Sequence, residues 1–145
     1  MSLFSTLSVS ASGMDAQRQR AEILVENLAN ADTTRTAEGG PYRRKDVVFE
    51  TSSTESPFSS VFQSALEGQS NGVAVGQVIT DDRPPDRRYM PGHPDADKDG
   101  YVAYPRVNPA EDMVDLLGAS RGFEANVAAM GAVKDMIQRS IDLLK

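Results

Sequence analysis

Apolar residues recur at intervals of seven at both ends of this chain. Near the C-terminus the row is Leu116, Phe123, Met130, Ile137 and Leu144, interleaved with Met113, Ser120, Val127, Lys134 and Ile141. Near the N-terminus Leu7, Met14, Ala21 and Leu28 repeat at the same spacing, joined by Phe4, Ala11 and Val25. This spacing lines side chains along one seam of a helix, and a seam needs a partner helix. All eight prolines lie between Pro41 and Pro109, so both ends can run as long helices. The first is expected from Leu3 to about Ala31. Its first dozen residues carry no charge, which makes a poor solvent-facing surface. Gly13 within it marks either a tolerated weak spot or a close approach or bend. The second helix has a defined start: Asn108 as N-cap, Pro109 at the first helical position, and Glu111 in capping-box spacing.

The middle reads differently. Gly39-Gly40-Pro41 is a turn, and Tyr42 to Glu50 reads as a strand. Ser56 to Leu66 fits a short helix opened by Pro57 and closed by Gly68. Val73, Val75 and Ile79 alternate as a second strand, with Gly76 suggesting a bulge or an edge. Asp81 to Pro94 is expected to be irregular, and Tyr101 to Tyr104 to be a third strand after the Asp99-Gly100 turn. The fold class is therefore mainly α with a small β domain (α+β). The divisions are an N-terminal assembly helix at 1–34, a β-rich outer domain at 35–108, and a C-terminal assembly helix at 109–145. Burying one side of each terminal helix returns less free energy than ordering it costs. The helix ends of the free subunit are therefore expected to be weak and to become ordered on assembly.

Composition sharpens this picture. Seven of the nine aromatics fall between Tyr42 and Tyr104, so a small core belongs in the middle. The net charge of −6 and the shortness of the basic runs (Arg43-Arg44-Lys45, and Arg83 with Arg87-Arg88) argue against nucleic acid. Those runs are read as a solvated face or a salt-bridging patch for a partner. The absence of cysteine removes disulfides and thiolate chemistry. Neither a secretory leader nor a stretch of membrane-spanning length is visible.

Candidate chemistry is sparse. Asp95, Asp97, Asp99 and Gly100 match the opening half of a calcium loop, but Ala103 and Arg106 occupy its ninth and closing positions. A polar hairpin turn fits better than a metal site. The single histidine, His93, has no orienting partner in the sequence. No nucleophile elbow, phosphate loop or dinucleotide fingerprint occurs, so no catalytic residue, cofactor or metal is expected. The competing functional class is a soluble helical binding or adaptor module with a degenerate calcium-like loop at 95–106.

The stretch NLANADTTRT (Asn27 to Thr36) resembles the signature that follows the first helix of bacterial flagellar rod, hook and hook-associated proteins. GGPYRRKDVVFE (Gly39 to Glu50), PGHPDADKDGYVAYPRVN (Pro91 to Asn108) and the segment Glu111 to Leu144 are similar to the proximal-rod members of that family. Only about Thr51 to Asn71 has no counterpart. The resemblance implies a non-enzymatic structural subunit of the basal-body rod, exported by the flagellar type III apparatus without a cleaved leader. It implies polymerisation through the terminal helices into a torque-transmitting shaft. The implied partners are copies of itself, other rod proteins (FlgB, FlgF and FlgG types), the MS-ring or export-gate adaptor (FliE type) and the export machinery. No nucleic acid and no direct membrane insertion are implied. On this reading Leu7, Met14, Leu28, Leu116, Phe123, Met130, Ile137 and Leu144 carry helix packing in the assembly. Asn27, Asn30 and Asp32 fix the helix end and the turn into the middle domain. Pro91 to Tyr104 is expected to lie in the outer domain and touch neighbouring subunits.

Overall fold

A computed structural model describes residues 3–53 and 71–143 of the chain. The element order is α1 (Leu3–Ala29), β1 (Lys45–Ser53), β2 (Asn71–Thr80), β3 (Asp86–Tyr89), β4 (Tyr101–Tyr104) and α2 (Pro109–Asp142). Strands β1 and β2 form one two-stranded sheet, and β3 and β4 form another. The short helix expected at 56–66 and the side chain of Leu144 lie outside the described residues.

Residues group into two compact units, and both helices and the β1–β2 ribbon contribute to each. In the first unit (1–19, 48–77 and 118–145) α1 runs antiparallel to α2. Gly13 faces Asn126, whose side-chain oxygen lies 3.0 Å from where a β-carbon on Gly13 would stand, and Gln17 faces Gly122. The glycine therefore serves close approach rather than a bend. Asn126 is held in place by donating to the Gly122 carbonyl at 2.8 Å. Ser12 packs against the start of β2 at Gly72 and accepts a hydrogen bond from the Val73 amide at 3.0 Å. The Ser12 hydroxyl in turn donates to the Val9 carbonyl. Among the described residues Ser10, Ala16, Ala119 and Val133 are the buried side chains of this unit.

In the second unit (20–47 and 78–117) the core is Leu24, Asn27, Tyr42, Val102, Tyr104 and Asp112. The register of β3 on β4 is antiparallel, with Asp86 opposite Tyr104 and Tyr89 opposite Tyr101. Alternation along β4 buries Val102 and Tyr104 and turns Tyr101 outward. Asn108 caps α2 by accepting from the Ala110 amide at 3.2 Å, and Pro109 opens the helix. Gly39 and Gly40 take positive φ values of 90° and 80°, as their turn requires.

Three expectations need correction. The stretch Asp81 to Pro94 is not irregular throughout, because Asp86–Tyr89 forms β3. All four of its residues are exposed, so β3 carries no apolar alternation to betray it; pairing with β4 makes it a strand. The first strand begins at Lys45 rather than Tyr42, because Tyr42 leaves the strand line to enter the core. The third concerns only the last two residues of helix α1, which ends at Ala29 within the expected fading region, where Asn30 and Thr33 take over the local hydrogen bonds.

Candidate functional site

Two features of the molecule bear on function: a polar clasp at the end of α1 and the face that α2 leaves open. In the clasp, Asn27 is fully buried and satisfies three partners. Its Nδ2 donates to the Lys45 carbonyl at 2.8 Å, and its Oδ1 accepts from the Lys45 amide and the Tyr42 hydroxyl, both at 2.9 Å. The side-chain amide thus replaces a neighbouring strand for the first residue of β1. Lys45 closes the arrangement with an ion pair to Glu26 at 2.6 Å. Burial, then the nearby Glu26 and Asp112 carboxylates, push the Tyr42 hydroxyl up to about 12.

Beside it Arg44 bridges Asp112, at 2.9 Å, and Asp46, at 2.6 Å. Burial opposes the arginine charge, but the Asp112 hydrogen bond and the Asp46 and Asp112 charges outweigh it and raise the Arg44 pKa. Asp112 is 1% exposed, and its second oxygen finds no hydrogen-bond partner among the described residues. This ion pair joins the entry of β1 to the first turn of α2.

Of the residues singled out at the helix end, Asn27 is the centre of the clasp. Asn30 caps α1 locally, donating to the Glu26 carbonyl at 2.9 Å and accepting from the Thr33 hydroxyl at 3.1 Å. Asp32 is exposed. Sequence reasoning missed Tyr42, Arg44, Lys45 and Asp112 as members. The one available signal was an unusual run of three basic residues directly before an apolar strand.

The seam residues divide. Leu7, Met14 and Leu28 on α1, and Leu116, Met130 and Ile137 on α2, are half-buried. Phe123 is 38% exposed. The row of α2 that α1 and the clasp cover is Asp112, Ala119, Asn126 and Val133, again at seven-residue spacing. The interleaved series expected to complete the seam therefore does not do so within the subunit. Met113, Val127 and Ile141 are exposed instead, along with Leu117 and Phe123. Helix α1 is bare at Phe4 and Val25.

Two of the three carboxylates of the calcium-like loop are engaged within the subunit. Asp95 accepts from the Thr34 hydroxyl at 2.7 Å and pairs with Arg35 at 2.7 Å. Asp97 Oδ1 accepts from the Asp99 and Tyr101 amides at 3.0 and 2.8 Å. Among the described residues no cluster of metal-ligating side chains comes together. His93 Nδ1 accepts from the Asp95 amide at 3.1 Å, which makes the histidine part of the loop's own bonding.

Long terminal helices with half-covered apolar faces around a small β region define an assembly subunit rather than a catalyst. Comparison with known proteins gives the class. Residues 7–35 match the family described as "Flagella basal body rod protein", and residues 98–143 match "Flagellar basal body rod FlgEFG protein C-terminal". The chain is 43% identical to the flagellar basal-body rod protein FlgC of Bacillus subtilis, with 100% of each chain covered. It is 38% identical to FlgC of Borreliella burgdorferi, with 100% of this chain and 99% of the relative covered. For FlgC of an Escherichia coli O6:H1 strain the identity is 36%, over 99% of this chain and 98% of the relative. The chain belongs to the FlgC family of flagellar basal-body rod proteins. It is a structural component of the bacterial flagellar basal body, not an enzyme, and associates there with other rod and basal-body proteins.

Proposed function

We propose that the terminal helices polymerise the subunit into the rod. The 1–34 and 109–145 segments line the inner, helical part of the shaft, and 35–108 forms its outer part. The observation that carries this reading is the open face of α2, where Met113, Leu117, Phe123, Val127 and Ile141 remain exposed beside a seam already in use. Apolar side chains at helical spacing on one face are what a further helix covers. Leu7, Met14, Leu28, Leu116, Met130 and Ile137, only half-covered within the subunit, then complete their burial against neighbouring subunits.

The subunit reaches the rod through the flagellar type III export system, as its resemblance to exported axial proteins implies. Its neighbours are copies of itself, rod proteins of the FlgB, FlgF and FlgG types, and the FliE-type adaptor. Packed helices make a stiff shaft because dense, rotamer-locked interiors resist deformation.

Phe123→Ala tests the helix contact. In the isolated subunit Phe123 is 38% exposed and only partly covered, so denaturant unfolding shifts by about 1–2 kcal/mol. Fully buried in the polymer, its loss costs about 3–5 kcal/mol per subunit and interrupts rod completion. Basal bodies of normal length and number carrying this variant would remove the proposal.

A further inference from the structure

The second unit contains a cleft of about 220 Å³ lined by Arg43, Arg44, Arg83 and Arg106 around a single inward carboxylate, Asp81, with the Gly39-Gly40 turn on its rim. Its charges are not evenly matched. Arg44 is committed to Asp112 and Asp46. Arg83 holds Asp81 through three contacts at 2.6–2.9 Å, which keep that carboxyl well below its usual range. Among the described residues Arg43 pairs with Asp82 alone, an aspartate 88% exposed, so this pair is open to exchange. Arg106 is exposed and makes no ion pair among the described residues; its charge acts on Asp81, already clamped by Arg83. The cleft therefore offers planar cations whose fork geometry suits a carboxylate.

We propose that this cleft is a docking site for the acidic turn Asp97–Asp99 of a second copy of the chain. The proposal rests on the self-assembly reading above but concerns a contact separate from the helices. Two observations favour this occupant. The turn is rigid: Gly100 adopts φ 80°, and Asp97 Oδ1 holds the Asp99 and Tyr101 amides. Docking a turn already fixed in shape loses little conformational entropy. The turn also keeps a net negative charge, because Asp97 and Asp99 outnumber Lys98, are exposed, and have no ion-pair partner among the described residues. A basic cleft and an acidic turn at different places on one subunit are complementary but not self-complementary. Such a contact is heterologous, and repetition extends it into a ring or a helix rather than closing a dimer.

The natural absence of cysteine allows a direct test on the full chain in basal bodies. Pro85→Cys marks the cleft wall and Lys98→Cys marks the turn; the paired arginines and aspartates are kept, and the turn becomes more acidic in every variant alike. With both substitutions present, a short bismaleimide is expected to give a ladder of cross-linked subunits on denaturing gels. Each single substitution should give no ladder. Adding Arg106→Glu should cut the cross-linked fraction about tenfold, and Asp99→Arg together with Arg106→Glu should restore it. Arg106→Gln, a milder change, should give an intermediate loss and keeps the test valid if Arg106→Glu fails to fold. Assembled basal bodies without a ladder would overturn the proposal, as would a ladder indifferent to Arg106→Glu. Failure of the helix reading is separable, since it shows as normal assembly of the Phe123→Ala variant.

Discussion

Asn27 holds Lys45 by both of its backbone groups, donating to the carbonyl at 2.8 Å and accepting from the amide at 2.9 Å. A helix side chain thus does for the first residue of β1 what an adjacent strand would do. Asn27→Ala leaves the Lys45 amide and carbonyl and the Tyr42 hydroxyl without their partner in a buried place. Each such loss costs about 1–3 kcal/mol, with partial relief from water, so urea denaturation should show a net loss of about 2–4 kcal/mol. Asn27→Asp should also destabilise, because a carboxylate cannot donate to the Lys45 carbonyl.

Removing Arg44 strands the fully buried Asp112, whereas removing Asp112 leaves Arg44 its second pair with Asp46. Arg44→Ala is therefore expected to destabilise by about 3 kcal/mol, and Asp112→Ala by less. The double variant should lose clearly less than the sum of the two, because the second substitution removes the charge stranded by the first. Additive losses in a double-mutant cycle would show that the pair is not coupled.

Tyr42 makes stability sensitive to alkaline pH. Its pKa is pushed up to about 12 in the folded state from an ordinary 10.0. Between those values the folded state retains a proton that the unfolded chain releases, so stability falls as pH rises. The contribution is intact below pH 10 and is lost progressively up to about pH 12. Tyr42→Phe should be less stable at neutral pH through loss of the hydroxyl contact to Asn27. Its denaturation midpoint should fall less steeply than that of the natural protein over the alkaline window.

The glycines should separate by what they face. At Gly13 an added β-carbon meets Asn126, which is tethered to Gly122 and sits 3.0–3.2 Å away. Gly13→Ala gains about 1 kcal/mol of helix propensity against that crowding and should come out near neutral, whereas Gly13→Leu should cost about 2–3 kcal/mol. Gly76 faces the end of the exposed Glu50 side chain, which can swing aside. Gly76→Ala should therefore be tolerated. Thermal unfolding of the three variants gives the order.

The terminal helices, the Asn108–Pro109 start, the Asp99-Gly100 turn and strand β4 were legible in the sequence because each follows from local chemistry. Periodicity, caps and glycine conformations act over a few residues. The motif from Asn27 to Thr36, with the C-terminal segment, also carried the family. Strand β3 was not legible, because its four exposed residues owe their conformation to a partner strand.

The site shows the same division. The seven-residue spacing on α2 determined that seams exist, but not which row meets α1. A helix surface offers several rows at that spacing, and the choice falls to shape. The small side chain of Ala119 and the contact of Asn126 with Gly13 bring the helices close, which leaves the bulkier Met113 and Val127 outside. The clasp and the arginine cleft were decided only by tertiary structure. They join residues such as Arg44 and Asp112 that lie 68 positions apart. Whether a charge is solvated, buried or left without a partner depends on what the fold sets beside it, and no local pattern records that.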